Sequence, residues 1–166
     1  ENLCKVYPDA VIYTHVYNPK KISKFLNDKK IYTTFIHYLP FSKILYKLYL
    51  PLMPISLKFL NLKKYDLIIS SESGPAKGFR KHNNAMHICY CHTPMRYAHV
   101  MMKQYINSYG YQNIFIKKIL EFFLKLIAKW DIKHTKNVDY FIANSNFIKK
   151  RIKKIYKRNS VVISPP

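Results

Sequence analysis

HICYCHTPMRYA, residues 87–98, is the stretch that decides how this chain folds. Apolar side chains run to Cys91 and read as a strand over 86–91, and His92, Thr93, Pro94, Met95 and Arg96 follow at once. Pro94 suits a first helical turn, because the amide it lacks is one that a helix start leaves unpaired anyway. A strand running straight into a helix is one βα unit. In open sheets of such units ligands bind just beyond the carboxyl ends of the strands, so His92 and Arg96 stand where a substrate stands. An arginine there can pair with a phosphate. A strand-end histidine also has a purely structural hydrogen-bonding role open to it.

Two further junctions repeat the pattern. In FIANSNFIKKRI, residues 141–152, a strand leads to Asn144 and Ser145 and then to a helix, with Ser145 suited to the N-cap. In SSESGPAKG, residues 70–78, the strand ends at Ser70 and Ser71, and a turn carrying Gly74 and Pro75 follows. Its free amides suit an anion, and a plain turn accounts for them equally well. Strands are also expected over 10–16, 31–36, 66–70, 138–144 and 160–164, alternating with helical patterns. That alternation predicts an α/β fold, a Rossmann-like, doubly wound and mostly parallel sheet. Four of the strands are nearly continuous apolar runs, as expected when helices cover both sheet faces.

The stretch 41–63 contains Pro51 and Pro54 and should break into two short helices. The opening ENLCKVYPDA reads as the end of a helix entering a turn. Over 114–130, Lys117, Glu121, Lys125 and Lys129 recur every four residues on an otherwise apolar helix. Such a helix either packs on the sheet or lays a basic amphipathic face on anionic lipid.

Composition narrows the classes. A chain of 166 residues fits one domain, here 1–164, and 49% hydrophobic residues exclude disorder. Lys and Arg number 29 against 8 Asp and Glu, a formal +21. Only four of these are Arg (Arg80, Arg96, Arg151, Arg158), the side chain suited to bidentate guanine contacts, so nucleic acid is not the expected partner. A basic nucleic-acid-binding domain and a non-catalytic membrane-surface module stay as the alternatives. Three cysteines, Cys4, Cys89 and Cys91, are an odd number without framework spacing, which points to a reducing compartment. Cys89 and Cys91 should face the same side of their strand, and no second ligand pair makes them a metal site. The three glycines, Gly74, Gly78 and Gly110, form no phosphate-binding loop motif. With only three Glu and no paired carboxylates, a two-carboxylate hydrolase is disfavoured. No uncharged apolar run reaches 18 residues, so no transmembrane helix is expected, and no signal-peptide pattern stands at the start.

Taken in order, DLIISSESGPAKG, HICYCHTPMRYA, the long helix ending in KWD, VDYFIANSNFIKKRIKKIY and VVISPP resemble the amino-terminal domain of retaining family-four glycosyltransferases. The nearest branch is the mannosyltransferase-like one that builds O-antigen and related bacterial surface polysaccharides. The resemblance spans 1–166 and is most specific from Asp66 onward. It implies a GT-B enzyme, two Rossmann-like domains facing a cleft, with the acceptor held mainly by the first and the nucleotide sugar by the second. His92 matches the family's cleft-facing strand-end histidine, and is the catalytic candidate. Thr93, Arg96 and Tyr97 would share its wall, Asn144 and Ser145 the neighbouring one, and Ser71 and Gly74 the edge of the same substrate site. The implied reaction transfers a hexose, with mannose a candidate, from a nucleotide sugar such as GDP-mannose to a saccharide or polyprenyl-linked acceptor, without metal or other cofactor. On this reading the first strand, its Gly-rich turn and the donor-binding domain are absent, and 165–166 begin the interdomain linker. The chain would then be an acceptor-side half, inactive alone, placed in the cytoplasm at the inner face of the plasma membrane.

Overall fold

The computed structural model describes residues 1–108 and 113–165, so Gly110 and the linker residue Pro166 lie outside it. The chain is α/β with parallel strands and divides into two units, Glu1–Leu60 and Asn61–Pro166.

The first unit contains α1 (Asn2–Val6), β1 (Ile12–Thr14), α2 (Lys24–Asn27), β2 (Ile31–Thr33), α3 (Ser42–Leu45) and α4 (Met53–Lys58). β1 and β2 pair in parallel from Ile12↔Ile31 to Thr14↔Thr33. Both strands are shorter than their apolar runs. The ladder ends where Phe35–Tyr38 turns into a 3-10 helix, which takes the following amides out of the sheet. Pro51 and Pro54 have the expected effect. A 3-10 stretch, Tyr46–Leu52, separates α3 from α4, and Pro54 sits in the first turn of α4.

The second unit contains β3 (Asn61–Leu62), β4 (Leu67–Glu72), β5 (Arg80–Lys81), β6 (Met86–Cys91), α5 (Arg96–His99), α6 (Met102–Ser108), α7 (Ile114–His134), β7 (Tyr140–Ala143), α8 (Asn146–Tyr156) and β8 (Val161–Val162). β4, β6, β7 and β8 form one parallel sheet in that order. β3 and β5 make a separate two-residue parallel pair that carries no run long enough to read from sequence. Register places Ile68, Ser70 and Glu72 beside His87, Cys89 and Cys91, and Cys89 and Cys91 beside Phe141 and Ala143. That face is buried under Ile148, Ile152 and Tyr156 of α8. Both thiols therefore share a side, as the spacing predicts, and both are fully buried.

The other face departs from the expectation of two covered faces. Leu67, Met86, Tyr140 and Val161 are exposed there and Ile69, Ile88, Tyr90 and Ile142 are half-buried, against full burial on the first face along β4, β6 and β7. Strand order supplies the reason. In a sheet that grows in chain order, successive right-handed crossovers put their helices on the same side.

Two local details also differ. Pro94 is not in a first helical turn: α5 starts at Arg96, because Met95 holds ψ 101 and keeps the chain extended through the proline. α7 runs from Ile114 to His134 and is capped by Asn113, whose side chain accepts from Phe115 N–H at 2.8 Å. It buries Leu124, Ile127 and Asp131 and leaves Phe115, Ile119, Phe122 and Leu126 exposed on the opposite side. Among the described residues no helix is long and apolar enough to cross a membrane.

Candidate functional site

The carboxyl ends of β4, β6 and β7 lie side by side, and there the second unit brings most of the expected residues together. His92 continues β6, and its backbone N–H donates to the Glu72 carbonyl at 2.9 Å, which extends the ladder by one bond beyond the strand. Its ring nitrogen Nε2 shares a hydrogen bond with Ser71 Oγ at 2.9 Å. The Tyr90 ring meets the imidazole edge-on at 5.2 Å, and Tyr90 donates its hydroxyl to the Ile163 carbonyl. The His92 carbonyl accepts from Asn144 Nδ2 at 3.3 Å, and Asn144 Oδ1 accepts from Ser145 Oγ at 3.0 Å. Ser145 caps α8 by accepting from Ile148 N–H, the role its position predicts. Thr93 is tied to the same helix, since its Oγ1 accepts from Arg151 Nη1 at 3.0 Å. Ser71, His92, Thr93, Asn144 and Ser145 thus form one connected rim, with Ser71 and His92 exposed.

Arg96, Tyr97 and Gly74 stand differently. The Arg96 side chain is exposed at the start of α5 and joins none of these hydrogen bonds. Tyr97 turns inward and stacks on Tyr105 at 5.5 Å. Its hydroxyl lies against Gly74, where an added Cβ would sit 3.5 Å away, and it has no hydrogen-bond partner among the described residues. Burial pushes the Tyr97 phenol well above its usual range.

Beneath the rim lies a cluster that sequence reading passed over. Lys77, fully buried, contacts Glu72 Oε1 and reaches Asp131 Oδ1 at 2.6 Å. Asp131 Oδ2 accepts from Tyr156 OH at 2.6 Å and pairs with His99 Nε2 at 2.8 Å. The cluster joins β4, the 73–79 turn, α5, α7 and α8. Burial works against every charge in it, and partners decide the outcome. Burial would raise the Asp131 carboxyl, yet donation from His99, Lys77 and Tyr156 holds it below its usual range. Burial raises Glu72 despite the opposing pull of Lys77. Burial would lower Lys77, but the two carboxylates carry it above its usual value. The two carboxylates are pushed in opposite directions, so of the pair Glu72 is the one that protonates more readily. Glu72 is also the link to the rim, because its own carbonyl holds the His92 amide.

A signal for this cluster was present. Asp131 follows Leu124 and Ile127 at the spacing of one helix face, and an acid on a core stripe needs a buried partner. Gly78, next to Lys77, is required for another reason: a Cβ there would overlap Trp130 Cζ2. Among the described residues no group of three or more His, Cys, Asp or Glu side chains could hold a metal ion. The rim offers an exposed imidazole, three hydroxyls and an amide to a polar ligand, on a base stiffened by buried charge pairs. Comparison with protein-family models, with curated proteins and with solved structures finds no match to this chain.

Proposed function

We propose that this chain is the acceptor-side domain of a retaining GT-B glycosyltransferase that moves a hexose from a nucleotide sugar to a saccharide or polyprenyl-linked acceptor. The observation that carries the reading is the His92 rim: a strand-end histidine bonded to Ser71 and Asn144 at the carboxyl edge of a parallel sheet, where such sheets bind ligands. Sugar hydroxyls are read by such groups, each able to donate or accept. In this proposal His92 holds the reacting sugar and the acceptor hydroxyl. Ser71 fixes the ring, and Asn144 fixes the backbone that carries it. Arg96, free of hydrogen bonds to the rim, receives a phosphate or polar acceptor group. Leaving-group charge would be met by donor-side groups outside this chain, consistent with the lack of a phosphate-binding loop here.

The test is transfer itself. The complete polypeptide, supplied with GDP-mannose or another labelled nucleotide sugar and polyprenyl-linked acceptor, should label the acceptor with retained anomeric configuration, read by NMR. Hydrolysis without transfer, or inversion, would refute the reading.

A membrane-surface role has its own support. Phe115, Ile119, Phe122 and Leu126 form an exposed apolar stripe on α7, with Lys118, Lys125 and Lys129 along its side. A helix of this kind suits the boundary of an anionic bilayer, where a polyprenyl-linked acceptor resides.

A further inference from the structure

Far from the rim, at the amino ends of the strands, a groove of about 580 Å³ is lined by Lys63, Arg80, Lys81, His82 and Lys136 over a floor that includes Phe79. It is built wholly within the second unit. The β3–β5 pair sets Asn61 beside Arg80 and Leu62 beside Lys81, so Lys63 follows directly on the same edge. Lys136 comes from the 3-10 turn Thr135–Asn137 that leads into β7. The length of β6 separates this groove from His92, roughly 20 Å at strand rise.

Its charge is poorly compensated. No carboxylate lines the groove. Asp139 pairs with Lys81 at 2.9 Å, and Lys81 also donates to the Ala85 carbonyl. Lys63, Arg80 and Lys136 have no side-chain partner among the described residues, and all three are exposed. Like charges gathered in one concavity repel, and a multivalent anion removes that cost while gaining charge-assisted hydrogen bonds. A fork-shaped guanidinium flanked by ammonium groups fits adjacent phosphates better than a single carboxylate.

We infer that this groove is a binding site for a small soluble anion carrying linked phosphates, a diphosphate or longer, separate from the His92 rim and independent of the transferase reading. The cations of the lining come from three chain segments around one concavity of about 580 Å³, a geometry that suits a small oligophosphate better than a polynucleotide, which needs a row of phosphate contacts.

Calorimetric titration of the full chain with inorganic pyrophosphate tests this. The expected result is saturable binding of one equivalent, weakened about tenfold or more by K63Q/R80Q, whereas K149Q/K150Q, which removes equal charge from α8, shifts it less than about twofold. Equal weakening by both pairs, or no saturable heat, would overturn the site. Amide shift mapping of the unmodified chain gives an answer that needs no variant: changes should centre on 80–83 and 136–137, and changes centred on the start of α8 would contradict the proposal. Capture by anionic vesicles that K63Q/R80Q abolishes, with no pyrophosphate binding, would reassign the groove to a membrane.

Discussion

His87 shows how much one buried side chain decides. Its Nδ1 faces the Asn137 carbonyl at 3.0 Å, and a carbonyl only accepts, so the proton sits on Nδ1. Nε2 is left to accept from Ser70 Oγ at 2.8 Å. The imidazole is thus held neutral, and burial lowers it from about 6.5 to about 4. Protons then bind the unfolded chain more readily than the native one. Stability from this residue is complete above pH 6.5 and declines as pH falls toward 4, by about 3 kcal/mol in all. Urea unfolding across that range should show the decline, and H87Q should flatten it; an unchanged slope in H87Q would place the acid sensitivity elsewhere. Lys77 is the second decisive residue. K77M would leave Glu72 and Asp131 facing each other without their shared cation, at a cost of about 3–5 kcal/mol in chemical denaturation. A loss below about 1 kcal/mol would mean that the cluster does not hold β4 to α7.

At the scale of elements, α8 is the best-specified piece. Ser145 caps it, Ile148, Ile152 and Tyr156 bury one face, and the lysines take the other. S145A should cost about 1 kcal/mol, read as a fall in Tm, because the Ile148 amide loses its acceptor. Helix α7 was only half legible. The four-residue charge stripe and the helix itself form as expected, but the apolar remainder does not all turn inward. Periodicity shows which residues share a face and is silent on whether anything covers that face. Sedimentation with vesicles decides the use of the exposed stripe. Anionic vesicles should bring the chain down and neutral ones should not, and F115S/F122S should abolish the effect. Equal sedimentation of that variant would assign binding to other lysines. The strands were legible for the same reason that α7 was not. All six expected strands form, because β-branched and aromatic runs need no knowledge of neighbours, whereas the β3–β5 pair has only two residues a side and no run to read.

At the scale of the molecule, a parallel sheet in chain order places three strand ends together, and this explains why residues far apart in sequence meet at one rim. His92, Thr93, Asn144 and Ser145 could be read as neighbours because they come just after strands, and Ser71 because it is the next-to-last residue of β4. Arg96 and Tyr97, already inside or next to a helix, could not be placed without knowing where α5 begins. The buried Glu72, Lys77 and Asp131 cluster escaped because its members lie in three separate segments and only packing unites them. The central claim is that His92 serves the chemistry rather than the fold. The most direct measurement is kcat/KM for sugar transfer by H92A in the complete polypeptide, alongside its Tm. His92 is exposed, so Tm should stay within about 2 °C of the unmodified protein while transfer falls roughly 10²-fold, as when one aligned donor is removed. An unchanged transfer rate in a folded H92A protein would contradict the account.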